Sequence, residues 1–201
     1  MGAVLKNTKT SDKLVRETLI KTLLEQHDTL GVIQELEVAR GRVRADVVKI
    51  SDGSVHAYEI KSDVDTLRRL PRQIRHYNEV FSTVTLVVGV EHVVEALYLI
   101  PDWWGVIVAE IDNAELRLSP IRQVQQNGYT DYEAISDLLR KHELIKILGT
   151  HDMGSSCHSM SKQKLIKEAR QEISKESLIE QLAQTLVARG EGMSSSLQVA
   201  L

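Results

Sequence analysis

The chain has 201 residues, 42% of them hydrophobic and 26% charged, which is enough to bury one full core with an accessory part beside it. No apolar run approaches a membrane span and the N-terminal MGAVLKNTKTSDK has no signal-peptide core, so a cytoplasmic protein is expected. The single cysteine, Cys157, excludes an internal disulfide, and a formal net charge of −3 leaves any binding of nucleic acid to a local basic patch.

In chain order, residues 11–27 (SDKLVRETLIKTLLEQH) combine a Ser11 cap with apolar residues at Leu14, Val15, Leu19, Ile20, Leu23 and Leu24, the spacing of a helix. VIQELEV, RVRADVVKI and VHAYEIK follow as three strands rich in Val and Ile and bounded by Gly31, Gly41 and Gly53. Helical spacing returns over 64–81 through Leu67, Leu70, Ile74, Tyr77 and Phe81, with Pro71 starting a new turn or kinking the helix. TVTLVVGV is a continuous apolar run, as in a strand buried on both faces. WWGVIVAEI and AELRLSPI read as a strand pair around Asp112-Asn113, and 130–148 as one or two helices. The Gly/Ser/His stretch GTHDMGSSCHSMS separates these from a helical segment over roughly 162–189 and a tail. The expected division is an α/β domain over 1–125 and a helical C-terminal extension over 126–201.

The second and third strands carry the chemistry. Asp52-Gly53 predicts a two-residue type I′ hairpin, with positive φ at both residues. Ser51 then faces Ser54, Asp46 faces Glu59 and Arg44 faces Lys61. Alternation puts Asp46, Glu59 and Lys61 on one face. Like charges directly opposite destabilise a sheet. A hard divalent cation offsets that repulsion, because two adjacent carboxylates make an oxygen-ligand site suited to Mg²⁺. The bland alternative is a solvated polar face.

The pattern D-x12-E-I-K of Asp46, Glu59, Ile60 and Lys61 resembles the signature of the PD-(D/E)XK nuclease superfamily, with alanine in place of its proline. The order helix, three strands, helix, strand is similar to that superfamily's core over residues 11–90. The resemblance implies an α/β fold with a restriction-endonuclease-like α-β-β-β-α-β core, a mixed sheet flanked by helices. It also implies phosphodiester hydrolysis, most directly of DNA, with Asp46, Glu59 and the Ile60 carbonyl holding Mg²⁺ (Mn²⁺ as substitute) and Lys61 positioning or activating water. QIRHY, with Gln73 and Tyr77, resembles the QxxxY element of RecB-like nucleases, small stand-alone members of which occur in bacteria and phages; there the pair helps bind DNA. Arg68, Arg72 and Arg75 share a helical face on which guanidinium groups could track phosphates. The family adds an acidic residue near the first helix. Glu35, on a strand beside the hairpin and with Glu37 on the face opposite Val32, Leu36 and Val38, is preferred, and Glu17, at the margin of the first helix's apolar arc, is the second choice.

Other constellations have plainer readings. His151, Cys157 and His158 match no closed four-ligand zinc spacing. Trp103 and Trp104 could stack on bases, but packing beside the sheet suits a chain with one Phe. The last helices suggest a helix-turn-helix reader, a dimer arm or an ordinary amphipathic pair. No ATP-binding loop is seen, so a motor would be a helicase-type partner; a homodimer is the other assembly considered. The alternative function is a non-cleaving regulator on the same fold that binds nucleic acid or protein.

Overall fold

Ser11 caps the first helix, α1 (Asp12–Leu24), its hydroxyl accepting from the Leu14 N–H. Three antiparallel strands follow, β1 (Gly31–Val38), β2 (Val43–Ser51) and β3 (Ser54–Lys61). A 3₁₀ turn over Leu67–Arg69 leads into α2 (Leu70–Val80), and β4 (Thr83–Gly89) then lies parallel to β3. A short helix, α3 (Val93–Leu99), carries the chain to β5 (Gly105–Asp112), parallel to β4, which turns back into β6 (Glu115–Arg122). Among the described residues four α-helices follow, α4 (Tyr132–Asp137), α5 (Lys141–Gly149), α6 (Lys162–Glu172) and α7 (Lys175–Gly190). This is a computed structural model that describes residues 9–149, 155–190 and 197–198; His151, weighed above as a zinc ligand, lies outside them.

The fold is α/β and opens with the expected α-β-β-β-α-β order. Six long strands form one mixed sheet in the order β6-β5-β4-β3-β2-β1, and the two-residue β7 (Leu197–Gln198) extends it at β1. Helix α3 was not anticipated. The helix expected over 64–81 is shorter, because Val64 to Thr66 precede the 3₁₀ turn and Pro71 sits in the first turn of α2, where its missing N–H has no intrahelical partner to lose.

Each sheet face has its own core. On one face Val48, Ile50, Val55, Ala57, Val84, Leu86 and Val88 pack with Leu70 and Tyr77 of α2 and with the C-terminal helices, including Leu165 of α6 and Leu178 and Leu182 of α7. On the other, Val15, Leu19, Ile20 and Leu23 of α1 cover Val32, Val47, Tyr58, Ile60 and Val87. The helices beyond residue 125 thus bury apolar faces against the sheet, α7 lying over β2 and β3. Among the described residues, no helix is long and apolar enough to cross a membrane.

Two local features depart from the sequence reading. The β2–β3 loop has two residues and Ser51 pairs with Ser54, but only Gly53 has positive φ (65°), so the turn is not type I′. Left-handed conformation at both loop residues occurs instead at Asn113 and Ala114 (φ 50° and 67°), between β5 and β6. The second feature is a break in the pleat. Val48 and Ile50 share a core with Val43 and Ala45, although strict alternation would put Ala45 on the opposite face. β1 slips at the same level: Val32 packs under α1 while Leu36 and Val38 face the other core. Between the paired residues Gln34↔Val47 and Leu36↔Ala45 sit Glu35, at φ 55°, and Asp46.

Candidate functional site

The break positions the site. Past Val47↔Tyr58 the ladder between β2 and β3 stops, so backbone polar groups at this level need side-chain partners. Asp46 Oδ2 accepts from the Ile60 N–H at 2.8 Å. Arg16 Nη1, on α1, donates to the Asp46 carbonyl at 2.6 Å, and the Tyr77 hydroxyl, on α2, lies 2.6 Å from the Arg44 carbonyl. Asp46 therefore does not face Glu59 as a ladder pair, and Arg44 does not face Lys61. Arg44 pairs in register with Glu37 and forms an ion pair with it at 2.9 Å.

Glu59 is 0% exposed. Its Oε1 accepts from Lys61 Nζ and from Gln73 Nε2, the latter at 2.5 Å, and its Oε2 lies 2.6 Å from the Tyr77 hydroxyl. Gln73 and Tyr77 are one helical turn apart on α2, so both reach the same carboxylate. Tyr77 is held from behind by Trp104, whose ring lies 6.1 Å away at 14° and whose Nε1 donates to Asn78 Oδ1 at 2.9 Å. Trp104 is fully buried, which rules out base stacking for it, while Trp103 is half-buried against the core.

Burial, followed by the field of Asp46, pushes the Glu59 carboxyl up to about 7 against the opposing pull of Lys61 and Tyr77. The geometry agrees. A hydroxyl has one proton, yet Tyr77 approaches both the Arg44 carbonyl and Glu59 Oε2. Both contacts are hydrogen bonds when Glu59 carries a proton on Oε2 and donates it to Tyr77, whose own proton goes to Arg44. Burial, then Glu59, raises the Tyr77 phenol far above its ordinary value, so it remains a donor.

Asp46, Glu59, Lys61, Gln73 and Glu35 line one cleft of about 590 Å³. Arg42, Arg44, Arg69 and Arg72 rim it, which supplies the local positive charge that the net charge of −3 does not. Arg68 and Arg75 do not line it. The expected face assumed one continuous α-helix, but Leu67–Arg69 is a 3₁₀ turn with about three residues per turn, which brings Arg69 rather than Arg68 to the cleft; Arg75 lies by Glu79 at 4.0 Å. Glu17 is 64% exposed, near Lys13, and is no part of the cleft.

Sequence reasoning missed Arg16. Its guanidinium contacts Asp46 Oδ1 at 3.1 Å, Glu35 Oε1 at 3.0 Å and both oxygens of Asp12 at 3.1 Å. Burial pulls its pKa down, but the hydrogen bond to Asp12 and the fields of Asp46, Asp12 and Glu35 outweigh that and hold it above its ordinary value. A signal was present: Arg16 lies at helical spacing from Leu19, Ile20 and Leu23, a charge on a buried stripe.

Among the described residues, no three His, Cys, Asp or Glu side chains converge as a ready metal cluster. Asp46, Glu59 and the Ile60 carbonyl nevertheless form a donor set of hard oxygens in one cleft, which fits Mg²⁺ or Mn²⁺ in chemistry. Asp46 Oδ1 is held by Arg16, and the Ile60 carbonyl accepts from Lys61 at 3.2 Å. The weighed zinc residues do not share an environment, Cys157 being buried and His158 exposed. A larger groove, about 870 Å³, lies near α2, α4 and α6, but two of its cations are partnered, Arg40 by Asp137 and Arg170 by Glu133.

Residues 5–198 match the sequence model of the family described as Bacteriophage P4 protein cII. The chain is similar to Protein cII of Enterobacteria phage P4, with 34% identity over 120 residues; that match covers 60% of this chain and 45% of the phage protein's length. It is also similar to a solved structure, the SPO1766 protein of unknown function from Silicibacter pomeroyi, with 20% identity and a TM-score of 0.43, covering 71% of this chain and 91% of that one.

Proposed function

The chain belongs to the bacteriophage P4 protein cII family, and we propose that it is a metal-dependent nuclease of PD-(D/E)XK type, RecB-like, that hydrolyses phosphodiester bonds of nucleic acid, DNA first, in the cytoplasm. One observation carries the reading: Lys61 of D-x12-E-I-K and Gln73 and Tyr77 of Q-x3-Y all bond a single buried carboxyl, that of Glu59, in a cleft that Asp46 also lines. A sheet that needed only stability would gain nothing from burying that acid beside Asp46.

Asp46, Glu59 and the Ile60 carbonyl are the groups to hold Mg²⁺ or Mn²⁺. When bound, the ion supplies Lewis acidity toward a phosphate and lowers the pKa of water. The chain's own residues do the rest. Gln73 and Tyr77 fix the Glu59 carboxyl in one orientation. Lys61, whose side chain is 5% exposed, donates to Glu59 Oε1 and is the ammonium group placed to act on a phosphate in the cleft. Arg69 and Arg72 bind phosphates flanking it, a positioning role independent of base sequence. Glu35 stands beside Asp46 as the further acid, available to a water once Arg16 moves.

The test is a panel of single-stranded, duplex and branched DNA and RNA incubated with Mg²⁺ or Mn²⁺. Cleavage by the wild type that is lost in both Asp46→Asn and Lys61→Ala is the expected result. Tight binding without cleavage on every substrate would instead favour a non-cleaving nucleic-acid-binding protein. The Arg16 guanidinium against Asp46 is the observation that supports this second reading.

A further inference from the structure

Arg16 stands where a nuclease site would need its cation. Asp46 has two carboxylate oxygens. Oδ2 already accepts from the Ile60 N–H, beyond the end of the β2–β3 ladder, which leaves Oδ1 the freer oxygen for an ion, and Oδ1 is the atom that Arg16 holds. The same guanidinium takes Glu35 Oε1 and the Asp46 backbone carbonyl. These contacts offset two acids near buried Glu59 that would otherwise repel one another.

From these contacts we infer that Arg16 is an exchangeable resident counter-ion. It closes the site when no divalent ion is bound, and the ion enters by displacing it from Asp46. This rests on the nuclease reading and specifies how its metal site is controlled. Two features make Arg16 displaceable rather than a permanent lock. Its side chain is 14% exposed and borders the open cleft. It also has a second home: Nε and Nη2 form a two-pronged pair with Asp12, four residues earlier on α1, so after leaving Asp46 it still holds a carboxylate. Displacement therefore costs the contacts to Asp46 and Glu35, while the arriving double charge replaces a single one at both acids.

The consequence is a metal affinity set by Arg16. Losing a charge-assisted competitor at Asp46 should tighten binding by about tenfold to a hundredfold. Mn²⁺ alone is titrated by calorimetry into the full chain as wild type, Arg16→Gln, Arg16→Lys, Arg44→Gln and Asp46→Asn, with thermal unfolding confirming that each is folded. Arg16→Gln should bind Mn²⁺ at least about tenfold more tightly. Arg16→Lys, which keeps the charge and the fold but loses the planar fork, should tighten binding several-fold. Arg44→Gln removes a cation of the same cleft that does not touch Asp46 and should change affinity little. Equal affinity in Arg16→Gln and the wild type, with binding lost in Asp46→Asn, overturns the counter-ion role and leaves the metal site standing. Equal tightening in Arg44→Gln also overturns it, because the effect would then be a general field. If no form binds Mn²⁺ in a way that depends on Asp46, the counter-ion role and the metal-dependent nuclease reading fall together.

Discussion

Replacing Glu59 with Gln keeps the volume and removes the ionisable group. The wild-type carboxyl is raised from an ordinary 4.5 to about 7 in the folded chain, by burial first and by Asp46 second. Between those values the folded state keeps a proton that the unfolded state gives up. A raised pKa contributes stability that is fully present below pH 4.5 and is lost as pH rises through about 7. At about 1.4 kcal/mol for each pH unit, the interval from 4.5 to about 7 amounts to about 3 kcal/mol, and the side chain is 0% exposed, so solvent screening does not discount it. Urea denaturation of wild type and Glu59→Gln in the presence of a chelator, at pH 4.5 and at pH 8, reads this directly. The wild type should lose about 3 kcal/mol relative to the variant between the two pH values. A carbon-detected NMR titration should place the Glu59 midpoint near 7. A stability difference that is the same at both pH values would refute the buried, proton-holding carboxyl, and with it the account of how Tyr77 satisfies both its neighbours.

Lys61→Ala should lose most cleavage while keeping much of its affinity for nucleic acid, since an ammonium at the buried carboxylate acts on charge that develops during reaction; wild-type turnover would remove it from the chemistry. Replacing Arg69 or Arg72 with Ala should flatten the salt dependence of binding by about one unit, measured by fluorescence anisotropy, whereas Arg68→Ala should leave the slope unchanged. Gly89→Ala would drive a Cβ into Asp63 Oδ1 and to 2.6 Å from its backbone N, while Asp63 is itself fixed by Thr10 and the Glu91 N–H. A loss of about 1–3 kcal/mol is expected from urea unfolding, and a variant as stable as wild type would show that the Asp63 loop yields freely.

The parts of the site legible in the sequence are those that local rules determine. Asp52-Gly53 fixes the pairing of β2 with β3 whatever the turn's handedness, and residues one helical turn apart, such as Gln73 and Tyr77, share a face in any α-helix. What alternation could not supply was the place where alternation fails. Glu35 and Asp46 sit where both strands slip by one, and neither residue type announces a slip; the left-handed backbone at Glu35 is carried by tertiary contacts rather than by a glycine. The 3₁₀ turn misled in the same way, since a helical period read through Leu67–Arg69 selects Arg68 where three residues per turn select Arg69. Arg16 differs in kind, for its signal was present and lay in what it displaced. A residue at helical spacing from Leu19, Ile20 and Leu23 is carried toward the sheet, and a guanidinium there must find carboxylates or leave a charge poorly solvated. The first helix does not bring its own glutamate to the cleft, since Glu17, the second choice after Glu35, stays exposed beside Lys13. The buried stripe of that helix instead presents a cation, and the acids come to it from the strands, Glu35 from β1 and Asp46 from β2.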